Sequence, residues 1–242
     1  MAGAPSQHVA CAGVVDGSRA GSRETPCPRD APSGETVAGS PPVPNRRLSL
    51  SGASTTFVGM ARIVGIAGSL RKGSFNAALL RAAAEFAPLG VELEIASIAG
   101  IPLYDGDLER ESGLPEAVTA LKERIAGADG LLLVTPEYNS SLPGVFKNAI
   151  DWLSRPAQDI ARVFGEKPVA LMGATPGMGG TRLSQSAWLP VLRTLGTRTW
   201  SGKQLYVAGA GQVFDGEGRL VDEKVKKLLA DFMVGFARFV GE

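Results

Sequence analysis

The sequence predicts an α/β fold in which a parallel β-sheet is covered by helices on both faces. From Met60 onward, short strand-like runs alternate with segments of helical periodicity, which is the pattern of βαβ units joined by right-handed crossovers. Several of the strand-like runs are apolar throughout, as expected for strands that are buried on both sides. Together these observations indicate a doubly wound sheet.

Residues 1–59 differ from the rest of the chain in composition. Gly, Pro, Ser and Ala occupy 31 of these 59 positions, and the apolar residues follow neither the strand period nor the helix period. Because such a segment cannot bury a core, we expect a disordered N-terminal extension followed by one domain over residues 60–242. The segment lacks the apolar stretch of a secretory signal, and its four acids fit a transit peptide poorly. An over-extended gene start, with Met60 as the true first residue, is a further hypothesis.

Five strands are expected in the domain, at residues 62–67, 91–95, 130–135, 169–173 and 204–207. The first, third and fourth are apolar without alternation, whereas the second alternates as a strand nearer an edge does. Five strands in a domain of this size favour the flavodoxin-like strand order 2-1-3-4-5. In that arrangement a ligand crevice opens at the carboxyl edge of the sheet, between the first and third strands.

The segments between the strands carry apolar residues at helical spacing, so each is expected to bury one face against the sheet. The segment after the third strand places Val145, Phe146, Ala149, Ile150 and Leu153 on one predicted face. The segment nearest the C-terminus is the clearest, with Val221, Val225, Leu228, Leu229, Phe232, Phe236 and Phe239 at this spacing.

Both cysteines and the single histidine of the chain precede Met60. The domain therefore lacks the side chains for Ser-His-Asp or Cys-His catalysis and for His/Cys zinc sites, so we expect no metal and no catalytic side chain. If the domain is an enzyme, a bound cofactor is expected to carry the chemistry. A domain without cysteine is also consistent with a reducing cytoplasm.

Charge and hydropathy argue against two classes of partner. The N-terminal extension holds five of the 25 basic residues and four of the 24 acids, which leaves 20 of each in the domain. This balance gives no reason to expect nucleic acid or an anionic membrane surface as a partner. No apolar run approaches the ~20 residues of a membrane span.

The loop after the first strand, GSLRKGSFN at residues 68–76, is rich in hydrogen-bond donors and contains no acid. Ser69, Ser74 and Asn76 offer polar side chains, and Arg71 offers positive charge. The following helix adds free N–H groups and the positive end of its dipole, so the loop suits a phosphate. The alternative is that Ser74 only caps the helix and the glycines only make the turn.

Two nucleotide-binding motifs are missing at this loop. A Walker A loop needs a lysine after its second glycine, but Gly73 is followed by Ser74, and the G-x-G-x-x-G dinucleotide pattern is missing as well. What remains is a cradle for a single phosphate group. Within a flavodoxin-like sheet, FMN is the leading candidate for the ligand.

Two further loops are expected at the same edge of the sheet. In PEYNSSLPG, after the third strand, Pro136 stiffens the backbone, Tyr138 can present its ring to a flat isoalloxazine, and Asn139 can bond the polar rim of that ring. Backbone N–H groups from Glu137 to Asn139 can face flavin oxygen and nitrogen atoms. The alternative is an ordinary turn with a half-buried tyrosine.

After the fourth strand, the glycines of ATPGMGGTR would let the backbone approach the other side of the ligand.

At these loops the chain resembles the NAD(P)H-dependent FMN reductase family, which includes bacterial quinone and chromate reductases. The resemblance rests on GSLRKGSFN, PEYNSSLPGVFKNAIDWLSR and GATPGMGG, and it covers residues 60–242. It implies a bound FMN, NAD(P)H as co-substrate, and a homodimer or homotetramer. The implied cofactor-binding residues are Ser69, Arg71, Ser74 and Asn76 at the phosphate, Pro136, Glu137, Tyr138 and Asn139 at the flavin and ribityl chain, and Thr175, Pro176 and Gly177 on the other side.

Three functions remain open at this point, the third of which is a cofactor-free interaction domain. In the first, a flavoenzyme passes a hydride from NAD(P)H to FMN and then two electrons to a quinone, flavin, azo compound or chromate, with no acid or base required from the protein. In the second, the domain is a flavodoxin-type electron carrier without turnover of its own. Such carriers are strongly acidic, whereas this domain has as many bases as acids, so the enzyme is favoured.

Two polar groups outside the loops allow more than one interpretation. Lys147, Asp151 and Arg155 lie at helical spacing and can form surface ion pairs, so a structural or subunit-contact role is favoured over catalysis. Tyr104 and Asp105 either line the mouth of the substrate site or decorate a surface loop.

Overall fold

The computed structural model describes residues 60–242, and the disordered extension predicted over residues 1–59 lies outside the described residues. The strands of the described part are β1 Ala61–Ala67, β2 Val91–Ala96, β3 Gly130–Val134, β4 Pro168–Ala174, β5 Arg198–Thr199 and β6 Leu205–Val207. Its helices are α1 Phe75–Glu85, α2 Gly106–Ser112, α3 Glu116–Ala126, α4 Gly144–Leu153, α5 Ile160–Val163, α6 Arg182–Thr194, α7 Ala210–Val213 and α8 Glu223–Val240, with a 3₁₀ turn at Ala157–Asp159. None of these helices combines the length and the apolar character needed to cross a bilayer.

The strands form one parallel sheet in the order β2-β1-β3-β4-β5, with β6 also paired to β4. At its centre Ala67 lies opposite Val134, and Val134 lies opposite Met172. The three central strands therefore end at nearly the same level, and the loops that follow them leave the sheet side by side. The predicted order 2-1-3-4-5 is confirmed.

The fifth position of the sheet differs from the prediction of a single strand. Two short strands occupy it, because β5 pairs with the first residues of β4 and β6 pairs with the last. Between them the Trp200 side chain turns onto α8, with its ring centroid 4.9 Å from that of Phe232. A Cβ on Gly202 would lie 2.5 Å from Trp200 Nε1, so a glycine lets the chain pass close to this ring. The interruption thus accommodates a large aromatic side chain at the edge of the sheet.

Helices cover the sheet in two layers, each with its own core. Helices α3 to α6 pack on one face around large buried side chains such as Phe146, Trp152 and Trp188. Helices α1, α7 and α8 pack on the other face, where Phe232 and Phe236 are buried. Strand β3 supplies side chains to both cores and is buried along its whole length. Its apolar run without alternation predicted this position correctly.

Two of the predicted helix faces include residues that are exposed. On α4, Val145 is 39% exposed, whereas its neighbour Phe146 is fully buried. Leu228 on α8 is 44% exposed, and Val221 lies before Asp222, the N-cap residue of that helix. Helical spacing marks a stripe that is wider than the line of contact with the sheet, so residues at the margins of the stripe face outward.

Candidate functional site

A cleft opens at the carboxyl edge of the sheet, where the loops after β1, β3 and β4 meet. Its volume is about 320 Å³, at the lower end of the range for small-molecule sites. The lining residues are Ser69, Arg71, Ser74, Phe75, Asn76, Pro136, Glu137, Tyr138, Ala174, Thr175 and Pro176. The structure therefore brings together nine of the eleven residues predicted for a site, and Asn139 and Gly177 lie outside the lining.

A second cavity, of about 360 Å³, lies between the loop after β2 and helix α2. Its walls are mainly apolar and include Pro102, Leu108 and Leu114. Since no charged side chain lines it, this cavity offers little to an anionic ligand. The smaller cleft is the better candidate because polar groups from three loops converge there.

Ser74 begins α1 as its N-cap residue. The side chain is buried, and its Oγ accepts a hydrogen bond from Ala77 N at 3.2 Å. Because Oγ is the acceptor in that bond, the hydroxyl hydrogen stays available to donate. The backbone N–H groups of Phe75 and Asn76 make no hydrogen bond within the described residues, as is usual in the first turn of a helix. Ser74 thus caps the helix while donors remain for a ligand, so the two interpretations of this loop are compatible.

Arg71 is held within the same loop. One guanidinium nitrogen donates to Gly73 O at 2.9 Å, and the backbone N donates to Ser69 Oγ at 3.4 Å. The first bond uses one of the five N–H groups of the guanidinium, so most of its donors stay available for an anion. The neighbouring Lys72 is exposed and does not line the cleft.

Asn76 joins the first loop to the third. Its Nδ2 donates to Ala174 O at 2.8 Å, and its Oδ1 accepts from Ala174 N at 2.9 Å. The side chain is buried, and the pair connects residues that are 98 positions apart. One amide hydrogen is left over for a ligand. The two hydrogen bonds to Ala174 hold the loop after β1 against the end of β4, and this is the main structural role of the side chain.

The Glu137 carboxylate caps the N-terminus of α6. Its Oε2 accepts hydrogen bonds from the backbone nitrogens of Leu183 at 2.9 Å and Ser184 at 3.1 Å. Thr181, the N-cap residue of α6, makes no side-chain cap of its own, so a residue from the second loop supplies it. The positive end of the helix dipole stabilises this carboxylate where it lies. No local pattern in the sequence predicts this use of the side chain.

A tight turn carries Tyr138. Its backbone N and O pair with Ser141 O and N at 3.1 and 3.0 Å, and the intervening Asn139 and Ser140 have φ angles of 49° and 60°. Positive φ at both central residues is the mark of a type I′ turn. Backbone N–H groups from Glu137 to Asn139 were expected to face a flavin. The N–H of Tyr138 is already hydrogen-bonded within this turn. The Tyr138 hydroxyl lies 3.3 Å from Ser69 Oγ.

The third loop is held in place by the chain that follows β6. Thr175 N donates to Val207 O at 2.9 Å, and Thr175 O accepts from Ala210 N at 3.0 Å. Two residues further on, Gly177 O accepts from Gly209 N at 3.1 Å. These bonds fix Thr175 at the cleft and turn the backbone of Gly177 toward α7.

Sequence reasoning missed two lining residues, Phe75 and Ala174. Phe75 stands between two predicted polar residues and has the character of the first core residue of α1, and its ring stacks on Phe214 at 5.9 Å. A buried polar network below the cleft was missed as well. In it Thr135 Oγ1 lies 2.8 Å from Ser184 Oγ and accepts from Trp188 Nε1 at 3.1 Å.

The ion pairs predicted on α4 form only in part. Lys147 and Asp151 pair at 2.6 Å, one helical turn apart. Arg155 instead pairs with Glu109 at 2.9 Å, because the helix ends at Leu153 and the arginine is carried off its face. The Arg155 guanidinium lowers the pKa of Glu109 below its ordinary value. None of these charged residues lines the cleft.

Tyr104 and Asp105 belong to a surface loop rather than to the cleft lining. Asp105 is the N-cap residue of α2. Tyr104 N donates to Asn148 Oδ1 at 2.8 Å, and its hydroxyl donates to Glu109 Oε2 at 2.9 Å. The bond to the Glu109 carboxylate raises the pKa of Tyr104. Tyr104 therefore holds this loop to α4, whereas Asp105 only begins α2.

The donors in the cleft fit a flavin that carries one phosphate. Four hydroxyls, a guanidinium and the N-terminus of α1 meet there, and the single carboxylate of the lining, that of Glu137, is bonded to α6. Phe75 and Pro136 add apolar wall for a planar ring. Between residues 60 and 242, no group of three or more His, Cys, Asp or Glu side chains is placed to hold a metal ion.

Comparisons with known proteins agree with this chemistry. Residues 61–212 match the family described as NADPH-dependent FMN reductase. The chain is 42% identical over 168 residues to the NAD(P)H-dependent FMN reductase of Pseudomonas aeruginosa, covering 69% of this chain and 89% of that protein. It is 41% identical over 179 residues to a 2-hydroxy-1,4-benzoquinone reductase of a Burkholderia species, covering 74% and 96%.

Among solved structures, the chain is similar to FerB, a flavoenzyme NAD(P)H:(acceptor) oxidoreductase from Paracoccus denitrificans. The TM-score is 0.67 at 34% identity, over 75% of this chain and 97% of that one. Sequence and structure therefore agree on the same group of proteins. The chain belongs to the NADPH-dependent FMN reductase family of oxidoreductases, as its three loops predicted.

Proposed function

We propose that the chain binds FMN in the cleft and catalyses the NAD(P)H-dependent reduction of quinones and related small acceptors. The observation that carries the proposal is the convergence of hydroxyls, a guanidinium and a helix N-terminus at a cleft whose one carboxylate is engaged elsewhere. When bound, FMN supplies the redox chemistry, because it takes a hydride from NAD(P)H and returns two electrons to an acceptor. The part of the protein is to bind and orient the reactants.

The residues proposed to hold FMN are those that the sequence singled out. Its phosphate would be held by Ser69, Arg71, Ser74 and Asn76, its ring and ribityl chain by Pro136, Glu137, Tyr138 and Asn139, and its other side by Thr175, Pro176 and Gly177. Nine of these residues line the cleft, whereas Asn139 and Gly177 are proposed from the sequence alone. For Asn76 and Glu137 the proposed contribution is partly indirect, since their side chains fix the loops to β4 and α6. No side chain is proposed as an acid or a base.

A quinone is the acceptor that the comparisons favour. The Burkholderia relative is named for the reduction of a hydroxylated benzoquinone, and the chain spans 96% of it. Free flavins, azo compounds and chromate remain within the proposed range. Steady-state turnover with NADH and NADPH across these acceptors would rank them.

The alternative is a flavodoxin-type electron carrier. Only an enzyme will combine rapid reduction of its flavin by NAD(P)H with repeated turnover on a quinone. We therefore expect anaerobic NADPH to bleach the flavin absorption of the purified protein, and we expect a benzoquinone to restore it over many cycles. A flavin that stays oxidised in excess NADH and NADPH would exclude the enzyme and favour the carrier.

We further propose a homodimer or homotetramer, in the cytoplasm. Leu183 and Leu189 on α6 are 53% and 51% exposed, and Val145 on α4 is 39% exposed. The two helices meet inside the protein, where the rings of Phe146 and Trp188 are 5.0 Å apart, and we propose that a second copy of the chain covers these exposed apolar side chains. Light scattering of the full chain tests this, and a monomer at micromolar concentration would contradict it.

A further inference from the structure

We propose that the Tyr138 hydroxyl belongs to the phosphate end of the cleft and donates a hydrogen bond to the phosphate of the ligand. The inference rests on the proposed function, because it specifies how FMN is held. It also replaces the position given to Tyr138 above, at the flavin ring and ribityl chain, with one at the phosphate.

The first observation is the contact between two loops that are 69 residues apart. The Tyr138 hydroxyl lies 3.3 Å from Ser69 Oγ, and both residues line the cleft. Ser69 belongs to the loop whose donors, positive charge and helix N-terminus suit a phosphate. The hydroxyl of Tyr138 therefore reaches across the cleft to the end where the anion is expected, and the second loop supplies a donor there.

The second observation is the direction in which the hydroxyl hydrogens can point. Ser69 Oγ accepts from Arg71 N at 3.4 Å, which leaves its own hydrogen to donate to the Tyr138 oxygen. A hydroxyl that accepts one hydrogen bond still has its hydrogen to give. Either hydroxyl can donate in the contact between Ser69 and Tyr138. When Ser69 donates, the Tyr138 hydrogen is available to an outside acceptor, and a phosphate oxygen is a strong one.

The third observation is the backbone conformation of the turn that carries Tyr138. Two hydrogen bonds with Ser141 close the turn, and Asn139 and Ser140 both adopt positive φ. Such backbone conformations cost free energy for residues other than glycine, and they persist where the surrounding structure fixes them. Asn139 itself lies outside the cleft lining, so the structural effect of the turn is to set the direction of the Tyr138 side chain.

With Tyr138, hydrogen-bond donors from two loops face the position proposed for the phosphate. Arg71, the Ser74 hydroxyl and the first N–H groups of α1 approach from the first loop, whereas Tyr138 approaches from the opposite wall. Tyr138 is 47% exposed, so burial of its apolar surface gives little reason for its position. A polar role at the hydroxyl explains the position better.

The test compares FMN with riboflavin, which has the same ring and ribityl chain but no phosphate. Apo-protein of the wild type and of Tyr138→Phe is titrated with each flavin by fluorescence quenching. We expect Tyr138→Phe to raise the Kd for FMN about ten-fold or more, as for a lost hydrogen bond to a charged group, and to leave the Kd for riboflavin unchanged. Inorganic phosphate should compete with FMN for the wild type more effectively than for the variant.

Tyr206→Phe is the matched control, because it removes the same atom from a tyrosine outside the cleft lining, and it should change neither Kd. Equal weakening of FMN and riboflavin by Tyr138→Phe, or a shifted absorption band of the bound flavin, would place the ring of Tyr138 at the isoalloxazine and overturn the inference. An unchanged Kd for FMN would overturn it as well. A wild-type protein that binds neither flavin would instead overturn the proposed function.

Discussion

Glu137 Oε2 lies 2.9 Å from the backbone nitrogen of Leu183. Through this hydrogen bond, the loop after β3 caps α6, the helix that follows the loop after β4. Thr135, two residues earlier, is bonded to Ser184 by a second side-chain contact of 2.8 Å. The end of β3 is thus attached to the start of α6 at two points. Two walls of the cleft are therefore held in a fixed relation.

Glu137→Ala is expected to lower the free energy of unfolding by about 1–2 kcal/mol, because it leaves the first N–H groups of α6 without their cap. It should also weaken FMN binding, since two walls of the cleft are no longer joined. Glu137→Gln keeps an acceptor oxygen at the same position and should restore most of both properties. Urea unfolding and FMN titration of the two variants measure this. Equal effects of the two substitutions would show that the charge, rather than the cap, is what matters.

Arg71→Ala is expected to weaken FMN binding by roughly 1.5–3 kcal/mol, the range for a hydrogen bond to a charged group. This is about a ten-fold to a hundred-fold change in Kd. Because the phosphate is remote from the reacting ring, turnover at saturating FMN should fall much less. Lys72→Ala is the control, since it removes one charge from the same loop without touching the lining of the cleft. If both variants bind FMN as the wild type does, the loop is only a capped turn.

Deletion of residues 1–59 is expected to leave the melting temperature, the flavin content and the turnover nearly unchanged. Every residue that lines the cleft follows Met60, and the deleted segment has no periodic apolar face with which to dock. Differential scanning fluorimetry and a quinone reductase assay compare the two forms. Loss of flavin on truncation would show that the extension contributes to the site.

The Glu109–Arg155 pair is expected to make stability depend on acid pH. The bond to Arg155 lowers the pKa of Glu109 below its ordinary value of 4.5, so the folded state holds the charged form more strongly than the unfolded state does. The resulting stability is fully present above pH 4.5 and is lost as the pH falls through the lower pKa of the folded state. Its size should be a few tenths to about 1 kcal/mol, because the pair is partly exposed.

Urea unfolding of the wild type and of Glu109→Gln between neutral pH and pH 3 measures this contribution. The wild type should lose its advantage over the variant only at the acid end of that range. A difference that stays constant across the range would show that Glu109 acts through packing and hydrogen bonds alone.

Most of the fold could be predicted because strands and helices leave periodic signals along the chain. The apolar runs at β1, β3 and β4 indicated central parallel strands, and the structure buries them on both sides. The presence of two short strands at the fifth position of the sheet could not be predicted. It depends on how Trp200 packs against α8, a helix that follows it in sequence. The exposure of Val145 likewise depends on which residues of the apolar stripe of α4 meet the sheet.

The candidate site was predicted from the chemistry of its loops, and the structure brings those loops together. The hydrogen-bond partner of each side chain could not be predicted from the sequence. Glu137 was expected at a flavin, but its carboxylate meets the N-terminus of a helix that begins at residue 182. Gly180 was expected to let a ligand approach, whereas its φ of 64° and the close passage of Tyr206 already require a glycine. Such contacts join distant parts of the chain and leave no local pattern.

The bond between Asn76 and Ala174 bears on the order in which the molecule can fold. These residues are 98 positions apart, and β3 must lie between β1 and β4 before they can meet. Contacts of such separation form late, because a long chain segment must first be closed. A complete cleft therefore exists only near the end of folding. Added FMN should slow the unfolding limb of the chevron and leave the refolding limb almost unchanged.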